Sequence, residues 1–416
     1  MHSAQMTFVT GRRRIGKTSL LLKAHENCTY VYFFIAKKNE SLLCDEFVNE
    51  VQQKLNVSLF GEFKSFRTLF AYLMELSKTL HFTLILDEFQ EFLSVNSSVF
   101  SDMQDIWDSN KNQSKMNLIA CGSMYSLMTR IFEDAKEPLF GRATQRMHIQ
   151  AFDIPTIKEI MCDYFPKYSN EDLLAFYMIT GGVAKYVELL VQADALSVDT
   201  IFEEIFSENS LFLDEGKNVL IDEFGKDYGN YFSILTLIAS GKTSRVEIES
   251  ILNIQTGGFL DRLEKEFGLI KKVRPILAKP NTRTMKYRIH DNFLNFWFRF
   301  IYKYRTATEI GNLKYLHDLV KRDYTMYSGY VLEKYFSEML REQMQFNIIG
   351  NYWERNNHNE IDIVAVNEQN KYVLFVEVKR QQSNISLRQL EEKSENLQKL
   401  FQGYQIDFKG FSLEDM

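Results

Sequence analysis

Two clusters of residues, one near each end of this chain, have types and spacings that could do chemistry. The first is Gly11-Arg12-Arg13-Arg14-Ile15-Gly16-Lys17-Thr18, which fits G-x-x-x-x-G-K-[ST] at every fixed position. Apolar Met6 to Val9 precedes it and Ser19-Leu20-Leu21-Leu22 follows, so the order strand, loop, helix is expected. Such a loop wraps backbone N–H groups around phosphate oxygens, and the helix that follows turns its positive end toward them. Gly11 to Ser19 would line the nucleotide phosphates. Lys17 would reach the β- and γ-phosphates, and the Thr18 hydroxyl would hold Mg2+. A chance match in a glycine turn is the bland alternative.

Three further segments belong to the same expected site. His81-Phe82-Thr83-Leu84-Ile85-Leu86-Asp87-Glu88 is an apolar strand ending in two acids. Asp87 would hold Mg2+, and Glu88 would orient and polarise the attacking water. Alone, such a strand is often one that merely meets solvent; downstream of Lys17-Thr18 it gains meaning. The strand Asn117 to Ser123 is expected to end with Ser123 beside the same site. Arg142, in Pro138 to Ala143, is a candidate arginine finger, with Arg146 the competing choice and a surface ion pair the plain alternative for either. Thr180-Gly181-Gly182 lies between two helical patterns, where Lys185 could face the nucleotide or the glycines could simply cap helices.

The second cluster is Glu360-Ile361-Asp362-Ile363-Val364 followed by Val376-Glu377-Val378-Lys379. Asn367 to Lys371 between them is polar, so a β-hairpin is expected. Side chains alternate along strands, so a turn near Gln369 would set Asp362 roughly opposite Glu377. Two carboxylates at that range can hold Mg2+ or Mn2+ through oxygen. Lys379 would position a water or stabilise phosphorane charge. The bland reading is an amphipathic hairpin with a solvated charged face.

The chain that must position these residues has 416 of them, long enough for two to four domains. It is 45% hydrophobic and 25% charged, an ordinary globular balance. With 34 Phe and 21 Tyr against only 5 Pro, helix-rich domains with short loops are expected. The net charge of −6 gives no chain-wide nucleic-acid footprint. Cys28, Cys44, Cys121 and Cys162 are too scattered for a zinc site or disulfide framework, which points to a reducing cytoplasm. No signal peptide is evident, and no apolar run reaches the about 18 residues of a membrane span.

Residues 199–227 are strongly acidic and read as a solvated helical face and linker. Then come a short apolar helix (Tyr231 to Ala239), a second capped by Thr243 or Ser244, and a third capped by Thr256. Strand-like Leu269 to Val273 and Met285 to His290 follow, completing a winged helix-turn-helix pattern. Phe267 to His290 holds no acid but seven basic residues: Lys271, Lys272, Arg274, Lys279, Arg283, Lys286 and Arg288. They could contact DNA phosphates. The third helix is of mixed charge, with Asp261, Glu264 and Glu266 against Arg262 and Lys265, and protein contacts are the rival use.

The chain resembles the prokaryotic ATPases, first recognised in archaea, that stand among the AAA+ and STAND-type P-loop proteins. The resemblance rests on Gly11-Arg12-Arg13 through Lys17-Thr18, Asp87-Glu88-Phe89-Gln90, Gly122-Ser123, Gly141-Arg142-Ala143 and Thr180-Gly181-Gly182. It implies an ATP- and Mg2+-dependent ATPase with Ser123 as a sensor of the γ-phosphate. It also implies some tens of residues ahead of the first strand that help enclose the base. Five precede Met6 here, a departure from the family pattern, and whether a partner segment or neighbouring subunit completes the base pocket is the observation that bears on it. Ala184 stands where the family usually has Pro. Asp362 and Glu377-Val378-Lys379 resemble the PD-(D/E)xK nuclease superfamily, with Glu333, on a helix expected over 330–340, as the accessory acid and a further helix over 387–400. That resemblance implies an active nuclease or a relative that only binds.

The expected fold is therefore α/β, a P-loop NTPase parallel sheet with a helical lid, a winged helix-turn-helix and a small α/β nuclease-like domain. Its boundaries are 1–150, 151–227, 228–305 and 306–416. The expected function is a cytoplasmic, Mg-dependent ATP-hydrolysing switch coupled to a DNA-binding or nuclease-like domain, with no membrane partner. The alternative is a STAND-like scaffold that acts through protein contacts.

Overall fold

The computed structural model describes residues 3–224, 228–279, 282, 284–354 and 358–416. They form two compact units, residues 1–150 with 265–267, and residues 151–264 with 268–416.

The first unit is built on five parallel strands, β1 (Gln5–Thr10), β2 (Tyr30–Phe34), β3 (Thr83–Asp87), β4 (Asn117–Gly122) and β5 (Gln145–His148), in the order β2-β3-β4-β1-β5. β3 is an interior strand, buried throughout, which is why its sequence is a continuous apolar run rather than an alternating one. Met6, Phe8, Val31, Phe33, Leu84, Leu86, Leu118 and Ala120 share one face and pack under helices Glu40–Leu55, Phe66–Leu76, Val99–Asn110 and Tyr125–Glu133. Ring stacking ties strands to helices there, Phe33 on Phe47 at 4.1 Å and Phe8 on Phe132 at 4.7 Å. On the other face, Val9, Ile85, Ile119 and Cys121 pack with Leu21 of helix Lys17–Ala24. Because every strand runs the same way, Thr10, Asp87 and Gly122 all end at one edge of the sheet, where loops can build a site.

The second unit starts with helices Ile154–Tyr164, Asn170–Thr180 and Ala184–Gln192. The acidic stretch is not a linker: it forms helices Val198–Ile205 and Leu211–Phe224. Ile201, Phe202 and Ile205 are buried, and Glu215 is buried beside the Tyr186 hydroxyl at 3.5 Å. The acids there are interrupted by apolar residues at helical spacing, so one face packs. Asp227 lies outside the described residues, and for Asp222 and Glu223 only the backbone is described. Helices Tyr228–Ala239, Arg245–Leu252 and Gly257–Lys265 follow, then an antiparallel pair, β6 (Ile270–Val273) and β7 (Lys286–Ile289). Ser244, not Thr243, caps the second of these helices, accepting from the Glu247 N–H. The aromatic segment continues as helix Asn292–Phe296 and the π-helical turn Trp297–Ile301, buried almost throughout, with the Trp297 indole donating to the Leu213 carbonyl at 2.8 Å.

The expected helix over 330–340 is the end of a much longer one, Leu313–Glu342. Leu313, Leu316, Leu319, Val320 and Tyr327 are buried along its first half, at spacings of three, four or seven that continue one face. The last sheet comprises β8 (Ile348–Tyr352), β9 (Ile361–Asn367), β10 (Tyr372–Val378) and β11 (Gln405–Phe411), ordered β11-β10-β9-β8. β9 and β10 are the expected hairpin, and β11, parallel to β10, joins through helix Leu387–Gln398. Ile276, from the segment between β6 and β7, is part of this sheet's core. Among the described residues, no helix is long and apolar enough to cross a membrane.

Candidate functional site

The loop after β1 has the shape its glycines predict. Gly16 adopts φ +88° and Arg14 φ +71°, left-handed conformations that let successive N–H groups turn inward. Gly11 is buried against the chain after β5; a Cβ there would lie 2.8 Å from the Ile149 carbonyl oxygen. Ile15 is buried beneath the loop, while Arg13, Arg14 and Ser19 face solvent. Lys17 and Thr18 open the following helix.

Lys17 is 6% exposed. Its ammonium donates to the carbonyls of Gly11 at 2.9 Å and Arg12 at 3.0 Å, and among the described residues it forms no ion pair. A buried cation with only neutral acceptors is costly unless an anion joins it. Phosphate is the anion this loop is shaped for.

Thr18 donates its hydroxyl to Asp87 Oδ2 at 2.6 Å. A second hydroxyl, Tyr32 on β2, donates to the same oxygen at 2.8 Å. Asp87 Oδ1 accepts the Glu88 backbone N–H at 2.9 Å. A hydroxyl and a carboxylate held together are hard oxygen donors, which suit Mg2+ whose other ligands are phosphate and water. Burial, followed by the charge and hydrogen bond of Asp87, pushes the Tyr32 phenol well up. Burial first, then Asp87, does the same to the Cys121 thiol on β4, which is therefore an inert wall.

Glu88 follows in a left-handed conformation, φ +52°, uncommon for a residue with a side chain. That turn aims its carboxylate away from the strand. Glu88 Oε2 accepts from Ser123 Oγ at 2.8 Å and from the Gln90 side-chain amide. Gln90 can approach because Gly122 has no side chain: a Cβ there would lie 2.3 Å from Gln90 Oε1. Lys17, Thr18, Asp87, Glu88 and Ser123 are thus brought together. Tyr32 and Gln90 were missed as site residues. Gln90 carried a faint signal, two positions after Glu88; Tyr32 carried only the alternation of Tyr30-Val31-Tyr32 on a strand.

Arg142 corrects the expectation of an arginine finger within the chain. It precedes β5, at the edge where the parallel strands begin, and phosphate binds where they end. Its guanidinium is paired with Asp108 at 2.7 Å and also donates to the Phe140 carbonyl at 2.9 Å. Arg146 sits on exposed β5 and pairs with Glu133 at 2.5 Å. Lys185 pairs with Glu188 at 3.0 Å on its own helix.

The carboxyl-terminal carboxylates also meet. Ile363 pairs with Val376, so Asp362 and Glu377 are the next residues along the two strands. Asp362 Oδ2 accepts the Val378 N–H at 2.8 Å, and Lys379 lies 3.6 Å from Asp362 and 3.3 Å from Glu377. Lys393, on helix Leu387–Gln398 and not foreseen, reaches Glu377 at 3.3 Å, as does the Ser386 N–H. Burial would raise Glu377, but Lys379, Ser386 and Lys393 outweigh it and hold that carboxylate low. Burial would lower Lys379, but Asp362 and Glu377 outweigh that and raise it. Asp362 is pushed up, mainly by burial. Among the described residues no three His, Cys, Asp or Glu side chains stand close enough to form a metal cage. A cation at the Asp362–Glu377 pair would draw its other ligands from substrate and water, which suits Mg2+ or Mn2+.

Glu333 is pushed up to about 8, first by burial and then by Asp362, with Arg288 opposing. An unfolded chain ionises this carboxyl near its ordinary value while the folded protein keeps it neutral. Stability is therefore fully present below about pH 4.5 and is lost as pH rises toward 8. Glu333→Gln should remove that loss. Discounted for partial solvent screening, it should be more stable than wild type by about 2 kcal/mol at pH 8.5 and no different at pH 4. Chemical denaturation at both pH values checks this; an equal difference at both would refute it.

The basic hairpin is less free than its composition suggests. Lys272 is paired with Asp261 at 2.8 Å and Glu264 at 2.7 Å, Lys286 with Glu360 at 3.1 Å, and Arg288 lies 5.4 Å over the Tyr330 ring. Arg283 lies outside the described residues.

Comparison with known proteins agrees with this geometry. A family described as an ATPase domain predominantly from Archaea matches residues 1–190, and one described as archaeal and bacterial proteins of unknown function matches residues 297–394. The uncharacterized protein MJECL04 of Methanocaldococcus jannaschii is 30% identical over 382 residues, covering 89% of this chain and 82% of that one. Among solved structures, the Walker-type ATPase PABY2304 of Pyrococcus abyssi superposes with a TM-score of 0.55 over 70% of this chain and 90% of its own, at 18% identity, a likeness of fold. With a relative matched over most of its length, and a phosphate loop and Asp87-Glu88 inside the matched ATPase region, this chain belongs to the archaeal-type P-loop ATPase family.

Proposed function

We propose that this ATPase is a Mg-dependent, ATP-hydrolysing switch whose carboxyl-terminal region acts on DNA. The observation that carries the nucleotide half is the buried, anion-seeking Lys17 beside the joined Thr18 and Asp87. Mg2+, held by Thr18 and Asp87, would supply charge neutralisation at the β- and γ-phosphates. Lys17 would trade its two carbonyl acceptors for phosphate oxygens. Glu88 would accept a proton from the attacking water, with Ser123 and Gln90 holding its carboxylate until water displaces them. Four unpaired cysteines are in keeping with a reducing cytoplasm.

In the carboxyl-terminal half, Asp362, Glu377 and Lys379 support a metal-dependent phosphodiester hydrolase. Asp362 and Glu377 would hold the cation, and Lys379 would stabilise charge on the phosphate. A second reading is favoured by the neutralisation of these acids by Lys379 and Lys393, and by the internally paired basic hairpin: a STAND-like scaffold with an inactive nuclease-like domain acting through protein contacts.

Plasmid cleavage in Mn2+, with and without ATP, separates the two. On the first reading the wild type nicks DNA, and Asp362→Ala and Lys379→Ala do not. Cleavage that persists in both variants removes the assignment of these residues. No cleavage, together with no salt-dependent DNA affinity, leaves the scaffold.

A further inference from the structure

We infer that Tyr32 is a positioning residue for the ATPase, holding the Asp87 carboxylate in the orientation that receives the nucleotide-bound divalent cation. The inference rests on the proposed role of Asp87 as the metal-holding acid.

Tyr32 is on β2, the edge strand of the sheet, and Tyr32 pairs with Ile85 of β3. Asp87 is two residues beyond Ile85, on the same face, within diagonal reach of a long aromatic side chain. The phenol spans that distance and places its hydroxyl 2.8 Å from Asp87 Oδ2. Asp87 is buried, so an unanchored carboxylate would be costly there, and each oxygen has its own anchor. Oδ1 accepts the Glu88 N–H at 2.9 Å, and Oδ2 accepts both Thr18 Oγ1 at 2.6 Å and Tyr32.

These donors differ in what they can do later. The Thr18 hydroxyl must turn its oxygen toward a cation to ligate it, and its proton then no longer serves Asp87. Glu88 N–H and Tyr32 O–H have no such second duty. With one on each oxygen, they fix both the rotation and the plane of the carboxylate while Thr18 changes partners. Without Tyr32, Oδ2 loses its remaining side-chain donor when Thr18 turns away, and the carboxylate is free to rotate about its bond to the chain. The cost falls on the bound cation rather than on phosphate binding by the loop.

Tyr32→Phe removes one oxygen from a half-buried ring. Two measurements are made on the full chain: affinity for a fluorescent ATP analogue with and without Mg2+, and the Mg2+ concentration for half-maximal ATP turnover. Affinity in EDTA should stay within about twofold of wild type. The Mg2+-dependent gain in affinity should shrink about tenfold, as expected for one lost hydrogen bond to a charged acceptor. The Mg2+ requirement for turnover should rise by a similar factor, and excess Mg2+ should restore most of the rate. Asp87→Asn is the reference and should lose the Mg2+-dependent gain altogether, without rescue. A wild-type Mg2+ response in Tyr32→Phe, with the response lost in Asp87→Asn, would overturn the role of Tyr32 and leave that of Asp87 intact. A wild-type response in Asp87→Asn would overturn both. Melting curves verify folding; should Tyr32→Phe fail to fold, Tyr32→Met, also without a donor, takes its place at this edge-strand position.

Discussion

Replacing Glu88 by Gln should leave nucleotide binding intact and lower ATP turnover by about two to four orders of magnitude, the range that a lost general base commands. Gln fills the same space and can still meet Ser123 and Gln90, so the loop, Lys17 and Asp87 keep their positions. It cannot accept a proton from water. Lys17→Ala should fail at the earlier step, because it removes the buried ammonium for which phosphate oxygens replace the Gly11 and Arg12 carbonyls as acceptors. The two variants therefore separate binding from chemistry. Phosphate release and nucleotide affinity are measured for each. Turnover within about threefold of wild type in Glu88→Gln would remove Glu88 from the reaction. The left-handed backbone at Glu88 adds a structural argument, since such conformations in non-glycine residues persist where the surrounding structure enforces them.

The second large effect is on stability. Gly182→Ala should destabilise the protein by about 3 kcal/mol, because two costs combine there. Gly182 has φ +74°, which a side chain disfavours. A Cβ there would also lie 2.2 Å from the Phe152 carbonyl oxygen, and Gly182 accepts the Phe152 N–H at 2.8 Å, so the two backbones cannot separate without losing that bond. Gly181→Ala is the control: its Cβ would meet only the Asn292 side chain, at 3.1 Å, and should cost about 1 kcal/mol. Denaturant titration of both variants checks the order. Equal losses would show that the close approach at Gly182 does not matter.

That pair of glycines illustrates how much of the molecule was legible in its residues. The types of residue in Thr180-Gly181-Gly182 pointed to a cap or a lid, and the choice depended on Phe152, thirty residues away. Gly181 ends helix Asn170–Thr180 as a left-handed cap, while Gly182 makes room for another backbone. Arg142 is a clearer miss. As a residue it suited a finger; its place before β5 put it at the opposite edge of the sheet, paired with Asp108. The basic run from Lys271 to Arg288 looked like a nucleic-acid surface, yet the acids that neutralise Lys272 and Lys286 come from Asp261, Glu264 and Glu360, remote or differently patterned in the chain.

Local chemistry was readable from the residues alone. Gly11 to Thr18, Asp87-Glu88 and Glu377-Val378-Lys379 are short runs whose backbone conformation and residue types are set by near neighbours, so their presence already implied a phosphate loop, a paired acid strand and a charged hairpin. What the folded chain decided was which groups surround them. Tyr32 reaches its carboxylate across strands and Lys393 from a following helix, and sequence distance does not encode a contact of that kind. A charge's partner, and hence whether it is free to act, is fixed by packing among segments far apart in the chain.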